Sequence, residues 1–292
     1  MPSVYLNGTF LPQEEACVPV TDRGFLFGDG VYEVIPAYGG RLFRWPHHLQ
    51  RLQNSLDGIR LPNPLGSSEW ENMLNELLLR NRDESSATND QAVYLQVTRG
   101  SAARRDHCFP ETTVPTIYAT SNPIPVPDPA IAEHGVAVVT LEDIRWQRCD
   151  IKAITLLANV LLRQQAAEQG AAEAILVRDG KVIEGSSSNI FVIVDDTLLT
   201  PPKSAQMLPG ITRDLVLELA ERHGVRHRET DITPDILAQA GEIWITSSTR
   251  EIVPVTRLDS RNVGKGRPGP MWKAMSAHYR DYKAAVRAGE AD

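Results

Sequence analysis

Apolar and polar positions alternate along the chain with two different periods. Val31–Tyr38 and Ala92–Thr98 are runs rich in Val, Tyr and Leu, and they predict strands. Leu49, Leu52, Leu56 and Ile59 recur at helical spacing behind Pro46, which suits a first helical position, and Gly58 sits near the end. A second helix is predicted through Trp70–Leu79. Val136–Leu141 reads as a strand, and a helix over Thr155–Gln169 stops at Gly170. Ala174–Val177 and Val182–Ile183 flank Asp179-Gly180, a hairpin signal. Asn189–Val194 and Leu198–Thr200 flank Asp195-Asp196 in the same way. A helix over Thr212–His223, a strand Glu242–Thr246 and a helix from Met271 complete the pattern.

Hairpins outnumber regular β–helix–β alternation, so the class is α+β rather than doubly wound. Ser121–Ala130 reads SNPIPVPDPA. Prolines fix φ and remove amide donors, so this stretch predicts a stiff extended linker, neither helix nor central strand. The expected organisation is a small α+β domain over 1–120, a linker over 121–130 and a larger α+β domain over 131–292.

The chain has 292 residues, enough for two cores without a disulfide or metal staple. A net charge of −7 with no basic block argues against nucleic acid or an anionic membrane as partner. No stretch approaches about 18 consecutive apolar residues, so no membrane span is expected. Met1–Ala16 lacks a basic start and an apolar run, so it does not read as a signal peptide. Cys17, Cys108 and Cys149 are far apart, which suits a reducing, cytoplasmic setting and neither a disulfide framework nor a zinc set. Asn7-Gly8-Thr9 therefore means little as a glycosylation acceptor.

Several motifs fail. Gly28-Asp29-Gly30 lacks the third glycine of a dinucleotide fingerprint, and Gly185-Ser186-Ser187-Ser188-Asn189 lacks the second glycine of a nucleophile elbow. Gly264-Lys265 is no P-loop, and the adjacent His47 and His48 make a poor metal pair.

The only lysines are Lys152, Lys181, Lys203, Lys265, Lys273 and Lys283, so chemistry that needs an amine has few candidates. Lys152 stands in CDIKAITLLANVLL, where burial would favour the neutral amine that a covalent lysine needs; a lysine snorkelling from a helix start is the plainer alternative. Glu184 precedes three serines and Asn189. That loop could cradle an anion, and the carboxylate could pair with a protonated ring nitrogen; otherwise it is a polar turn. Gly210-Ile211-Thr212-Arg213-Asp214 opens a helix whose free amides suit a phosphate, or else Thr212 is a plain cap. Thr246-Ser247-Ser248-Thr249 adds hydroxyls after a strand. Arg51 is by default a solvated helix arginine. Arg99, Arg104, Arg105 and His107 follow a strand and would clamp a carboxylate if a substrate lay nearby.

Six ordered segments together, FGDGVYE (27–33), the helix bearing Arg51, RCDIK (148–152), EGSSSN (184–189), LPGITRD (208–214) and TSSTRE (246–251), resemble the fold-type IV pyridoxal-phosphate aminotransferases, and among them the D-amino acid aminotransferases. The resemblance runs along nearly the whole chain. It implies a two-domain fold with the active site at the domain interface, and ping-pong transfer of an amino group from a D-amino acid to a 2-oxo acid, of the D-alanine/2-oxoglutarate type. Lys152 matches the lysine that forms the Schiff base with pyridoxal 5'-phosphate. Glu184 matches the carboxylate on the pyridine nitrogen. Arg51, the amide of Ile211, Thr212 and Ser248 match the phosphate seat, and Leu208 matches the aliphatic residue behind the ring. Tyr32, Arg105 and His107 match the side chains that take the substrate carboxylate, with Arg105 and His107 supplied across a homodimer interface. The loop RGSAARRDHCFP is one residue longer than usual, so Arg104 competes with Arg105 for that role. A branched-chain L-aminotransferase, an (R)-amine transaminase or an aminodeoxychorismate lyase would share the fold.

Overall fold

The computed structural model describes residues 2–83 and 88–292. They form two compact units. The first comprises Met1–Pro125, Ile151–Thr155 and Lys283–Asp292, and the second Val126–Asp150 and Leu156–Tyr282.

In the first unit, β1 (Ser3–Leu6), β2 (Thr9–Pro12), α1 (Arg23–Phe27), β3 (Gly30–Tyr38), β4 (Arg41–Leu42), α2 (Trp45–Gly58), α3 (Ser67–Arg80), β5 (Gln91–Thr98) and β6 (Thr116–Pro123) follow in order. The strands make one antiparallel sheet, β2-β1-β6-β5-β3-β4. Asn7 and Gly8, both at positive φ, turn β1 into β2. The Asn-Gly pair is thus a hairpin signal, since such turns need left-handed backbone at both central residues. Val31, Ile35 and Ala37 of β3 share one face by the period of two, and they pack with Leu52 and Leu56 of α2 and with Trp70, Leu74 and Leu77 of α3. Ile151 and Ala153 belong to the same core. Asp22 caps α1 by accepting from the Gly24 amide, and its other oxygen takes the hydroxyls of Thr98 and Thr116.

The linker expectation is corrected here. Ser121–Pro123 are the last residues of β6, an interior strand paired with β5 and, nearer its start, with β1. Pro123 is tolerated because it is the terminal strand residue, where the ladder ends. Asp128 and Pro129 then open α4 (Pro129–His134), with the Asp128 side chain accepting from the Ala130 amide and the proline in the first turn. Only the residues between are irregular.

The second unit continues with β7 (Val136–Glu142), α5 (Leu157–Glu168), β8 (Glu173–Arg178), β9 (Lys181–Gly185), β10 (Asn189–Val194), β11 (Thr197–Thr200), α6 (Ile211–Arg222), β12 (His227–Glu229), α7 (Pro234–Ala238), β13 (Glu242–Ser247), β14 (Glu251–Leu258), β15 (Arg261–Asn262) and α8 (Pro270–Ala288), whose last residues count with the first unit. Its sheet runs β12-β11-β10-β13-β14-β7-β8-β9, with β15 on β14. Parallel pairs at β14/β7, β7/β8 and β11/β12 sit among antiparallel ones, so the class is α+β. Asp179 and Gly180, and Asp195 and Asp196, all take positive φ and make the two anticipated hairpins. Both faces of the sheet are covered. Val138 and Ile175 point into one core with Ile190, Ile243 and Val253, while Val139, Ala174 and Leu176 point to Leu162 and Ala166 of α5. The α5 helix starts at Leu157, two residues after the expected position.

Trp70 is fully buried and donates its indole N–H to Asn63 Oδ1 at 2.9 Å. Trp70→Ala is expected to cost about 3–5 kcal/mol, because a large void and an unpaired amide oxygen remain. The urea midpoint of unfolding measures it, and a loss below about 1 kcal/mol would contradict this packing.

Candidate active site

The candidate residues of the second unit gather around one buried carboxylate. Glu184 lies at the end of β9 and is 4% exposed. Arg145 Nη1 donates to its Oε1 at 2.5 Å, Asn189 Nδ2 donates to Oε2 at 3.1 Å, and the Leu208 amide is shared between both oxygens at 3.2 Å. Burial pushes the Glu184 carboxyl up to about 7, against the pull of Arg145 and the Leu208 amide toward the ionised form. Arg145 is itself held by Asp143, through Nε and Nη2 at 2.9 Å each. Asp143 in turn pairs with Arg178 at 3.0 Å. Burial would raise the Asp143 carboxyl, but the two guanidiniums outweigh it and hold it low. The result is a chain of alternating charges, Arg178–Asp143–Arg145–Glu184, that sums to zero.

Asn189 links this carboxylate to α6. Its Nδ2 also donates to the Leu208 carbonyl at 2.9 Å, and a Cβ at Gly210 would stand 1.9 Å from its Oδ1. Only glycine allows that approach. Gly210 is also the N-cap of α6 and offers no side chain, so Thr212 is not the cap, and among the described residues the helix has no side-chain cap bond. Ile211 and Thr212 are buried directly behind it. Across the β10/β13 register from Asn189, Thr246 carries a buried hydroxyl with no hydrogen-bond partner among the described residues. Ser248 lies in the turn that follows β13.

The three serines after Glu184 do not form an anion cradle. Ser186, Ser187 and Ser188 all give their hydroxyls to Glu173, a fully buried carboxylate on β8, with Ser187 at 2.7 Å and Ser188 at 3.2 Å. The loop is therefore locked onto an internal anion. Asn159 Nδ2 on α5 adds a bond to the Ser186 carbonyl at 2.7 Å.

In the first unit, Lys152 is held at both sides of its backbone. Its amide donates to Ser55 Oγ on α2 at 3.1 Å, and its carbonyl accepts from the Tyr32 amide at 3.0 Å. Its neighbours Ile151 and Ala153 are core residues. The half-buried side chain places Nζ 4.2 Å from the centre of the Tyr32 ring. Tyr32 leaves β3 on the face that carries Tyr94, at a ring separation of 5.8 Å. Glu33, next in the strand, points to the other face and is fully buried. Arg51 forks onto it through Nε and Nη2, both at 2.8 Å, and His48 Nδ1 meets it at 2.8 Å. Burial works to raise the Glu33 carboxyl, yet Arg51 and His48 hold it far below the usual range. Burial lowers His48, leaving a neutral imidazole whose Nδ1–H donates to Glu33.

Arg105 and His107 meet on Phe27, the last residue of α1. The Arg105 guanidinium is 4.7 Å from the ring centre and the His107 ring is 5.3 Å away. The structure thus brings Lys152 to Tyr32, Arg105 and His107 each to the Phe27 ring, and Glu184 to Leu208. Sequence reasoning alone misses the roles of Arg145, Glu33, His48 and Glu173. Their partners lie 13 to 39 positions away, and no local motif holds both members of a pair; Asn189 stands with Glu184 inside EGSSSN.

In the second unit, the buried carboxylate, the α6 amides and the orphaned hydroxyl are groups that suit a phosphorylated pyridine; in the first, the amine set on an aromatic face suits an aldehyde. The model of the aminotransferase class IV family matches residues 30–258, and the chain belongs to that family. It is a fold-type IV, pyridoxal-phosphate-dependent aminotransferase. It is 42% identical to the D-alanine aminotransferase of Bacillus licheniformis over 270 residues, 92% of this chain and 93% of that one. It is 38% identical to the D-alanine aminotransferase of Staphylococcus aureus strain COL over 97% of this chain and 98% of that one. Among solved structures, the branched-chain aminotransferase of the thermophilic archaeon Thermoproteus uzoniensis, with norvaline, superposes with a TM-score of 0.86 at 26% identity, covering 99% of this chain and 96% of that one.

Arg145→Met removes the counter-charge from Glu184. The carboxyl is then expected to rise above 7 and to be neutral at neutral pH. The acid limb of the kcat–pH profile should move upward by about one unit or more, with kcat down about tenfold at pH 7. An unmoved limb would contradict the role given to Arg145.

Proposed function

We propose that the chain is a D-amino acid:2-oxo acid aminotransferase working on D-alanine and 2-oxoglutarate or close analogues. The observation that carries this reading is the end-to-end identity of 37–42% with D-alanine aminotransferases, against 26% for the branched-chain enzyme of similar fold. The pairing of Arg105 with His107 on Phe27 supports it, because a guanidinium beside an imidazole suits an α-carboxylate. Arg105 shares the Phe27 ring with His107, which supports Arg105 over Arg104 for the clamp.

When bound, the coenzyme supplies a ring that takes up the electron pair left when the substrate loses its α-proton. Lys152 Nζ binds the coenzyme and then carries the proton away from and back to substrate carbon. Its backbone, pinned by Ser55 and Tyr32, fixes the face from which it does so. The Glu184 carboxylate accepts the hydrogen bond that keeps a ring nitrogen protonated. Leu208 gives its amide to Glu184 and its side chain to the ring. Arg51, steadied by Glu33, the Ile211 amide, Thr212 and Ser248 supply donors of the kind a phosphate needs. Tyr32, Arg105 and His107 set the carboxylate, so only one enantiomer presents its Cα–H to Lys152.

The chain works as a homodimer in which Arg105 and His107 serve the partner's site. An exposed apolar face on α5, with Leu157, Val160 and Leu161 at helical spacing, supports self-association. Among the described residues no helix is long and apolar enough to cross a membrane. A cytoplasmic setting fits the free cysteines at 17, 108 and 149.

Single-turnover titration of the holoenzyme with D-alanine, L-alanine and L-leucine tests the reading. D-alanine is expected to convert the coenzyme spectrum at least a hundredfold faster than either L-acid, and borohydride is expected to tag Lys152. Conversion by L-leucine alone would favour the branched-chain reading.

A further inference from the structure

We propose that Arg23 is the positioning residue of the substrate-carboxylate clamp, the strut that fixes the loop carrying Arg105 and His107. The proposal rests on the clamp reading given above. Arg23 opens α1, and its side chain is 4% exposed. Its guanidinium is turned away from solvent. It spends its donors on the backbone of the clamp loop: Nη1 on the carbonyls of Asp106 at 2.6 Å and Cys108 at 3.3 Å, and Nη2 on that of His107 at 3.4 Å. Nε is anchored on Asp29 Oδ2 at 2.8 Å.

Those carbonyls belong to the residue between the two clamp side chains, to His107 itself and to the residue after it. A loop of six exposed residues, 104–109, has no ladder to set its backbone. A planar five-donor fork can register successive carbonyls, as a single ammonium cannot. One helical turn further along α1, Phe27 presents its ring to the clamp side chains. Arg23 lies 4.8 Å and Arg105 4.7 Å from that ring centre, with the His107 ring beside it. Residues 23 and 27 are neighbours on a helix face, so one short helix grips both the backbone and the side chains of the loop.

The helix itself is tied down. Asp22 caps it, and Asp29 receives Arg99 as well as Arg23. Burial would raise the Asp29 carboxyl, but Arg99 and Arg23 hold it low, so it stays an anion for both. Arg99 continues to the carbonyls of Ile59 and Arg60 and stacks on Phe109 at 3.7 Å, closing the far end of the loop. The clamp therefore inherits its geometry from the framework through Arg23.

The test is a double-mutant cycle on the holoenzyme with two readouts: the Kd of pyruvate for the pyridoxal-phosphate form, with which it cannot react, and the KM of D-alanine. Arg23→Met is expected to raise both about tenfold, with kcat within about threefold and coenzyme affinity unchanged. In an Arg105→Ala background the same change is expected to have a clearly smaller effect, about threefold or less, because only His107 is then left for the strut to hold. Arg23→Lys keeps the charge opposite Asp29 and guards against a folding defect; it should show the same non-additivity at about threefold or more. Equal effects in both backgrounds, or no effect on pyruvate, overturn the role of Arg23. If Arg105→Ala alone leaves pyruvate binding unchanged, the clamp reading falls and this proposal falls with it. If Arg105→Ala weakens pyruvate while the Arg23 variants do not, only the strut is lost.

Discussion

A carboxylate buried against a single cation is the interaction on which the second unit's cluster depends. The role proposed for Glu184 requires a negative charge, and its burial opposes that charge. Water cannot supply the compensation. Arg145 supplies it, and Arg145 is itself desolvated, so Asp143 and Arg178 complete the series. Each link answers the cost of the one before it. Burial holds the group near 7, so its charge depends on the neighbouring cation rather than on the carboxyl's ordinary acidity. A protonated ring nitrogen brought against it adds a second cation and favours the same ionised form.

The same logic shapes the position of Lys152. The role proposed for its amine, to bond to a coenzyme and carry a proton, calls for a fixed origin and a mobile tip. Here the origin is fixed by two backbone bonds and by core neighbours on either side, while the four-carbon stem is left to reach. Nζ rests 4.2 Å from the centre of the Tyr32 ring, a contact that holds a cation by about 0.5–2 kcal/mol and so does not lock the tip in place.

Local signals are legible in the sequence wherever a short-range rule governs them. The hairpins at Asp179-Gly180 and Asp195-Asp196, the stop of α5 before Gly170 and the strand ends of β3 and β5 follow from turn chemistry and period. The proline-rich stretch misleads, because proline excludes a residue from the interior of a ladder but not from its last rung, where Pro123 stands. Asn7-Gly8 matches an acceptor sequence, but its backbone preference is the better signal. The site divides the same way. Lys152, Glu184 and the α6 start stand in recognisable segments. Arg145, Glu33 and Glu173 matter only because the fold sets them against groups far along the chain, and no short window of sequence contains both partners. Glu173 also changes the meaning of a visible motif: three consecutive serines look like donors awaiting a ligand until an internal anion is found to hold them all.

Taken together, the buried charges argue for function over stability. The first unit buries Glu33 with Arg51 and His48, and the second buries the Arg178–Asp143–Arg145–Glu184 chain. Replacing a buried ion pair by apolar residues of similar size is often neutral or stabilising by about 1–4 kcal/mol, so such groups are poor devices for holding a core together. They are good devices for holding a charge in one orientation. Arg51 and Glu184 are each fixed by two or more bonds within the protein, which is the preorganisation their proposed roles require. The loop over 104–109 lacks such burial and is exposed throughout, so its backbone is tied to the framework from outside, by the bonds that Arg23 of α1 gives to the carbonyls of Asp106, His107 and Cys108.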